Sequence, residues 1–560
     1  MNDSAELALQ PDARQLTLPR FLADVTARHG EREAVRFGDT SITYDELAAQ
    51  ALLLARGLSA SGVARGTHVA VHMANRPEWI VATFAVAMTG AVVIPVNTFA
   101  TAAERDYILE HSDAEVLLLQ KTLLKRDFLD ELFATHTQLA DQGPGAVELA
   151  ALPDLHSVFC LGLTNDRGAV EPYTVLEERA DSVPAKRIET AAHAVEPDDE
   201  AIIIYTSGTT ARPKGVLHAH RAPVVQSWRF AEFMELTHDD RVWTSQPFFW
   251  TAGIAMSLGA TFAAGATLLL QETFDAGAAL ECIASQRATT LFAWPHQEKA
   301  MAEHPDVGKY DLSRARKVEF ASPLAKIVGL ETDDWGTWGS YGLSETFTLF
   351  SAIPVSAPAA TRAGTSGKPL PGMSVRIVDP GGGGELAPGE RGEIAVKGLT
   401  FMLGYYKVDP SLYLDAEGYF RTKDGGRIDE DGYLHWTGRL SNLIKTGGAN
   451  VSPAEVDEAM FDYPGIRTTV TVGIDHPTLG EAIVLCAVPS GAEPPAVEAI
   501  AAHLKDKLAR YKLPRKILFF DNAEVSYTGN QKIQVDPMRE AVEKRLAQER
   551  VEIAGHTYGV

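Results

Sequence analysis

The stretch AIIIYTSGTTARPKGVLHAH (201–220) decides how this chain is read. It opens as an apolar, strand-like run, turns small and hydroxylated, and ends in Arg212, Pro213, Lys214 and Gly215. Small residues such as Gly208 let backbone N–H groups converge on an anion. The hydroxyls of Thr206, Ser207, Thr209 and Thr210 add donors, and Lys214 supplies positive charge. The segment reads as a phosphate cradle. It is not a Walker loop, which needs Gly before its Lys and Ser or Thr after it; here Pro213 and Gly215 occupy those places.

Outward from this loop, apolar strands alternate with helical segments through the first two thirds of the chain. Residues 67–72 predict a strand, 78–89 a helix and 91–95 a second strand, the βαβ rhythm of a parallel sheet. Residues 41–63 predict a strand end and a capped helix with Leu47, Ala51, Leu54 and Leu58 on its apolar face, stopped by Gly. Gly381 to Gly384 form a tight link between strands at 375–379 and 392–396. A boundary falls near Arg439. Beyond it, strands at 468–474 and 482–488, a helix at 496–509 and a strand at 516–520 make a unit of their own.

The chain has 560 residues, 45% hydrophobic and 22% charged, which is the profile of a globular protein with several domain-sized units. Lys plus Arg is 51 against 74 Asp plus Glu, a formal net charge of −23. That balance excludes nucleic acid and anionic membrane surfaces as partners, since both require a basic face. A polyanionic ligand must then be captured by local donors. Cys160, Cys282 and Cys486 are odd in number and widely spaced, which predicts free thiols in the cytoplasm. The N-terminal residues carry no export signal. Residues 242–271 lack formal charge, but their Thr, Ser, Gln, Pro and Gly content predicts a buried helix and strand, not a membrane span.

The segment YTSGTTARPKG (205–215) resembles the phosphate-loop signature YTSGTTGxPKG of the adenylate-forming superfamily, which includes acyl-CoA synthetases, peptide-synthetase adenylation domains and beetle luciferases. Further motifs follow in that family's order, so the resemblance runs from about Phe21 to Arg539. It implies an α/β fold: a large N-terminal domain of stacked α/β sheets and a distorted β-barrel (1–438), a hinge (439–441), a small mobile α+β domain (442–547) and a tail (548–560). It also implies ATP, Mg²⁺ and coenzyme A as cofactors or co-substrates, and a small carboxylic acid as substrate.

A carboxylate acylates poorly because its leaving group would be oxide, and attachment of AMP removes that obstacle. The site must bring two anions together and stabilise charge at phosphorus. YGLSET (341–346) resembles YGxTE, which assigns Tyr341 to the adenine, Ser344 to the α-phosphate and Glu345 to Mg²⁺, with Gly342 among the nucleotide-binding residues. FRTKD (420–424) resembles RTGD, which assigns Asp424 to the ribose hydroxyls. Lys423 stands where Gly is usual, which predicts a strained turn. GRLSNLIKTGGAN (438–450) resembles the hinge and its sequel: Arg439 toward ribose or phosphate, Ser441 as hinge, and Lys445, Gly447 and Gly448 along the CoA channel. YTGNQKIQ (527–534) resembles the catalytic-lysine segment, which assigns Lys532 to bridge the attacking carboxylate and a phosphate oxygen. Thr206 joins Lys532 and Glu345 as a catalytic candidate.

In SQPFFWTAGIA (245–255), Trp250 stands where the family usually has His beside the acyl pocket. With Ala252, Gly253, Trp338, Gly339 and Ser340 as further walls, an indole here favours van der Waals contact with a bulky aryl or alicyclic acid over acetate or a long straight chain. No acid near Trp250 could hold a substrate ammonium, which argues against amino-acid adenylation. The favoured reading is an AMP-forming acyl-CoA ligase. Alternatives are a split enzyme catalysing one half-reaction beside a second ligase, an acyl-AMP ligase loading a carrier protein, and a silent binding protein of the same fold. A homodimer is compatible with all of them.

Overall fold

The computed structural model describes residues 16–206, 213–337, 339–382, 384–440, 444–446, 449–461, 463–491, 493–508, 510–526 and 533–559. They divide into two compact units: residues up to 374 together with 397–418, and residues 375–396 together with 419–560.

The first unit is built on two sheets. The larger has eight strands, in the order Gly404–Tyr405, Lys214–Ala219, Glu200–Thr206, Val92–Pro95, His68–His72, Val116–Gln120, Ser157–Leu161 and Glu171–Pro172. From Glu200–Thr206 to the far edge the pairing is parallel, whereas Lys214–Ala219 runs antiparallel to both neighbours. His68–His72 and Val116–Gln120 are buried at every position, as parallel strands covered on both faces must be. Side chains alternate between two cores. Val69 and Val71 face one, which also holds Val35 and Leu268 of the second sheet and Trp79 and Phe84 of helix Pro77–Met88; Ala70 faces the other with Leu117 and Leu119.

The second sheet has five strands, in the order Thr290–Phe292, Arg241–Thr244, Thr267–Leu270, Glu33–Phe37 and Thr40–Thr43. Helix Tyr44–Ala60 follows directly, started by a reciprocal cap in which Thr43 and Glu46 satisfy each other's backbone N–H groups. Leu47, Ala51, Leu54 and Leu58 are buried on it as their spacing predicts. The charge-free stretch 242–271 becomes strand, π-helix Gly253–Gly259, helix Ala260–Ala263 and strand. Among the described residues no helix is long and apolar enough to cross a membrane.

The second unit holds most of a four-stranded sheet ordered Met373–Val378, Gly392–Gly398, Phe420–Ile428 and Leu434–Arg439. It also holds a five-stranded sheet around the long antiparallel pair Ile466–His476 and Gly480–Pro489. Alternation again supplies two cores. Val484 packs with Met538, Val542 and Leu546 of helix Val535–Gln548, while Ile483 and Leu485 pack with Val456, Ile500 and Leu504. The last residues, for which composition offers no reading, fold as the hairpin Glu552–Ile553 with His556–Thr557. It is pinned by the Nε2 of His476 on the carbonyl of Ile553 at 2.8 Å. Lys423, expected in a strained turn, lies instead within strand Phe420–Ile428 where the register shifts against Gly392–Gly398, and it takes the left-handed φ of +61°.

Candidate nucleotide and acyl site

Thr206 and Lys214 are cross-strand partners, and they flank the segment read as a phosphate loop. Ser207, Gly208, Thr209 and Thr210 lie outside the described residues. The flanking segments are braced from below. The hydroxyl of Tyr107 donates to the carbonyl of Pro213 at 3.0 Å, and the hydroxyl of Tyr205 meets Nδ1 of His111 at 2.8 Å. Burial lowers the pKa of His111 and raises that of the Tyr205 phenol, so both are neutral near pH 7.

The second candidate segment is a strained hairpin. Strand Tyr341–Leu343 pairs antiparallel with Thr348–Ala352 around the single turn Ser344–Thr346. A Cβ added at Gly342 would come within 2.1 Å of the Thr348 carbonyl, so the two strands approach as closely as only glycine permits. Phe347 and Thr348 both take positive φ, +50° and +89°, and the latter is an outlier for a β-branched residue. The Thr346 hydroxyl offsets this strain by accepting from the Leu343 N–H and donating to the Thr348 carbonyl at 2.6 Å.

His218, fully buried on the strand that leaves the phosphate loop, donates from Nε2 to the Ser344 carbonyl at 2.8 Å. Burial lowers its pKa to about 3 and keeps the ring neutral. The Tyr341 ring, half-buried, stands edge-on to Phe350 at 5.1 Å. Tyr405, which motif reading passed over, donates its phenol to Glu345 Oε1 at 2.5 Å. The Lys214 ammonium lies over its ring, 4.9 Å from the centroid. Thr206, Lys214, Gly342, Ser344 and Glu345 are thus tied together within one unit.

Trp250 sits at the entrance to the π-helix, and its N–H donates to the Pro247 carbonyl. Its indole stands edge-on to Phe249 at 5.0 Å, and to Phe99 and Trp294 at 6.3 Å each. Phe99 is 58% exposed, so this aromatic wall has one face open to solvent. Ala252 is half-buried, and Gly253 is held against the Pro247 carbonyl, where a Cβ would lie at 2.1 Å. Gly339 has φ +90°, and Ser340 donates to the Thr337 carbonyl. Trp338 lies outside the described residues. Phe99 and Trp294 carry no motif, and only proximity in the fold reveals them.

Within the second unit, Asp424 and Arg439 are register partners on adjacent strands. Arg439 Nε lies 3.0 Å from Asp424 Oδ1; the carboxylate is 2% exposed and the guanidinium 48%. Arg439 also donates to the Thr422 carbonyl at 3.2 Å. The Lys445 side chain is exposed, while its N–H donates to Glu481 at 2.7 Å. Ser441, Gly447, Gly448 and Lys532 lie outside the described residues. Among the described residues no cluster of three or more His, Cys, Asp or Glu could hold a metal alone. A single carboxylate such as Glu345 does fit Mg²⁺, which keeps several waters and takes its other ligands from phosphate.

Residues 22–406 match the AMP-binding enzyme family, and 455–532 match the AMP-binding enzyme C-terminal domain. The chain belongs to this adenylate-forming family. It is 31% identical over 533 residues to the 3-[(3aS,4S,7aS)-7a-methyl-1,5-dioxo-octahydro-1H-inden-4-yl]propanoyl:CoA ligase of Rhodococcus jostii, covering 94% of this chain and 98% of that one. It is likewise 31% identical to the indoleacetate–CoA ligase of Aromatoleum aromaticum, over 93% and 97% of the two chains. Among solved structures it resembles ATP-bound MatB from Rhodopseudomonas palustris, with a TM-score of 0.74 and 25% identity over 94% and 99% of the chains.

Proposed function

We propose that this chain activates a carboxylic acid with ATP and passes the acyl group to coenzyme A. The observation that carries the proposal is the meeting of Lys214 and Glu345 on two sides of Tyr405, with Lys214 and its strand partner Thr206 flanking the phosphate-loop motif in sequence. In the first half-reaction a carboxylate oxygen attacks the α-phosphorus, the bond to the β-phosphate bridging oxygen breaks, and pyrophosphate leaves. Lys214 and the loop hydroxyls offset the phosphate charge, and Ser344 donates to the α-phosphate. Mg²⁺, held by Glu345, would neutralise phosphate oxygens when bound. Asp424 accepts from the ribose hydroxyls, Tyr341 stacks on adenine, and Lys532 bridges the two reacting anions.

In the second half-reaction the thiol sulfur, having given up its proton, attacks the acyl carbon and AMP leaves. A hinge at 439–441 would exchange Lys532 for the thiol channel along Lys445, Gly447 and Gly448. The acid is a bulky ring compound. The aromatic wall of Trp250, Phe249, Phe99 and Trp294 supports this, as do relatives named for bicyclic and indole acids. Three unpaired cysteines support residence in the reducing cytoplasm.

The test is acid-dependent ATP–pyrophosphate exchange over a panel of carboxylic acids, followed by mass detection of the CoA thioester. Exchange and thioester with cyclic acids are expected. Exchange without thioester would move the reading to acyl-AMP formation alone, and nucleotide binding without exchange would refute catalysis.

A further inference from the structure

We propose that Tyr405 is a positioning residue that sets the metal-binding carboxylate and the phosphate-binding ammonium at a fixed spacing, so that nucleotide and metal are bound as one unit. The inference rests on the functional reading above. Residues 402–406 are stitched between the two segments by their backbone: the Met402 N–H donates to the Glu345 carbonyl, and the Leu403 and Tyr406 N–H groups donate to Leu217 and Gly215, each bond at 2.8 Å. The side chain repeats the link. Its hydroxyl takes one oxygen of Glu345, and its ring face carries Lys214.

The ring itself cannot wander. It is 8% exposed and stands edge-on to Tyr413 at 4.8 Å, and the Tyr413 hydroxyl accepts from the Tyr405 N–H at 3.3 Å. Holding one carboxylate oxygen leaves the other aimed, which is how hydrogen bonds behind a ligand tune metal affinity. A cation over an aromatic face keeps its charge while its remaining protons stay available to phosphate. Neither function needs Tyr405 to touch the nucleotide.

The two links separate by substitution. Equilibrium binding of α,β-methylene-ATP, measured by calorimetry with and without Mg²⁺, reads both in the full chain without turnover. Tyr405→Phe keeps the ring and loses the hydroxyl: metal-free affinity stays within about twofold, while the gain on adding Mg²⁺ falls by about tenfold. Tyr405→Leu also loses the ring face, so metal-free affinity drops by a further several-fold.

A Phe variant that matches wild type with and without Mg²⁺ would overturn the proposal. Equal losses in both variants under both conditions would overturn it too, because that is the signature of packing alone. Should the Leu variant fail to fold, the Phe arm decides. Wild-type protein that binds no nucleotide would overturn the functional reading, and this inference with it.

Discussion

Replacing Asp424 by Asn tests the nucleotide assignment through the ligand as well as the protein. The carboxylate is almost wholly buried, and Arg439 braces one of its oxygens. Two vicinal ribose hydroxyls donating to a charged acceptor are each worth about 1.5–3 kcal/mol. Asn keeps the shape and one acceptor but loses the charge and turns the other oxygen into a donor. The expected loss is about 2–3 kcal/mol, or roughly 30- to 150-fold in ATP affinity. The Arg439 guanidinium is half exposed, so the ion pair itself contributes only about 1 kcal/mol or less to stability, and the unfolding midpoint should barely move.

The assay is the KM for ATP, 2′-deoxy-ATP and 3′-deoxy-ATP in pyrophosphate exchange. Wild type should penalise each deoxy analogue, and the Asn variant should penalise them far less, because the partner of the missing hydroxyl has already been weakened. An identical deoxy penalty in both proteins would refute the ribose role. So would a stability loss of several kcal/mol with unchanged ATP affinity, which would make the carboxylate a structural group.

Gly342→Ala drives a methyl group into the Thr348 carbonyl; it should lower stability by about 1–3 kcal/mol and cut adenylation, and an unchanged melting temperature would contradict that close approach. Lys423→Gly relieves a left-handed backbone and should raise stability by up to about 1 kcal/mol, since the strain outweighs the entropy that glycine adds to the unfolded chain. His218 is held neutral, its pKa lowered from 6.5 to about 3, so the unfolded chain takes up a proton that the folded one refuses as pH falls below 6.5. Its contribution to stability is complete above that pH and declines toward pH 3 by up to about 1.4 kcal/mol per pH unit. His218→Gln, which can still donate to Ser344, should therefore show a shallower loss of stability in urea melts between pH 6 and 4. Parallel curves for the two proteins would exclude it as the source.

The α/β architecture was legible because strand and helix periods repeat strongly: His68–His72, Pro77–Met88 and Val92–Pro95 each fall within a residue of their expected bounds. At Lys423 only the strain was legible: its left-handed backbone falls inside a strand at a register shift, not in a turn, because the irregular pairing is set by a neighbouring strand. Tyr405 was not legible. The role proposed for it depends on a two-residue strand pairing beside Lys214–Ala219, nearly two hundred residues away, and nothing local records that pairing. Phe99 and Trp294 escaped for the same reason, being single aromatics on separate segments that meet only around Trp250. The C-terminal hairpin escaped because four short residues in strand offer too little alternation to read.

The widened helix at Gly253–Gly259 has a practical outcome for anyone altering what this protein accepts. Its turns hold nearly one residue more than ordinary winding, so excising a single residue there can be absorbed by tightening the coil, whereas the same excision in a regular helix would turn the preceding segment by about 100°. Trp250 sits on that preceding segment. Chain length across 253–259 is thus more forgiving than in the neighbouring helices, and Trp250 keeps its bearing when one position there is lost.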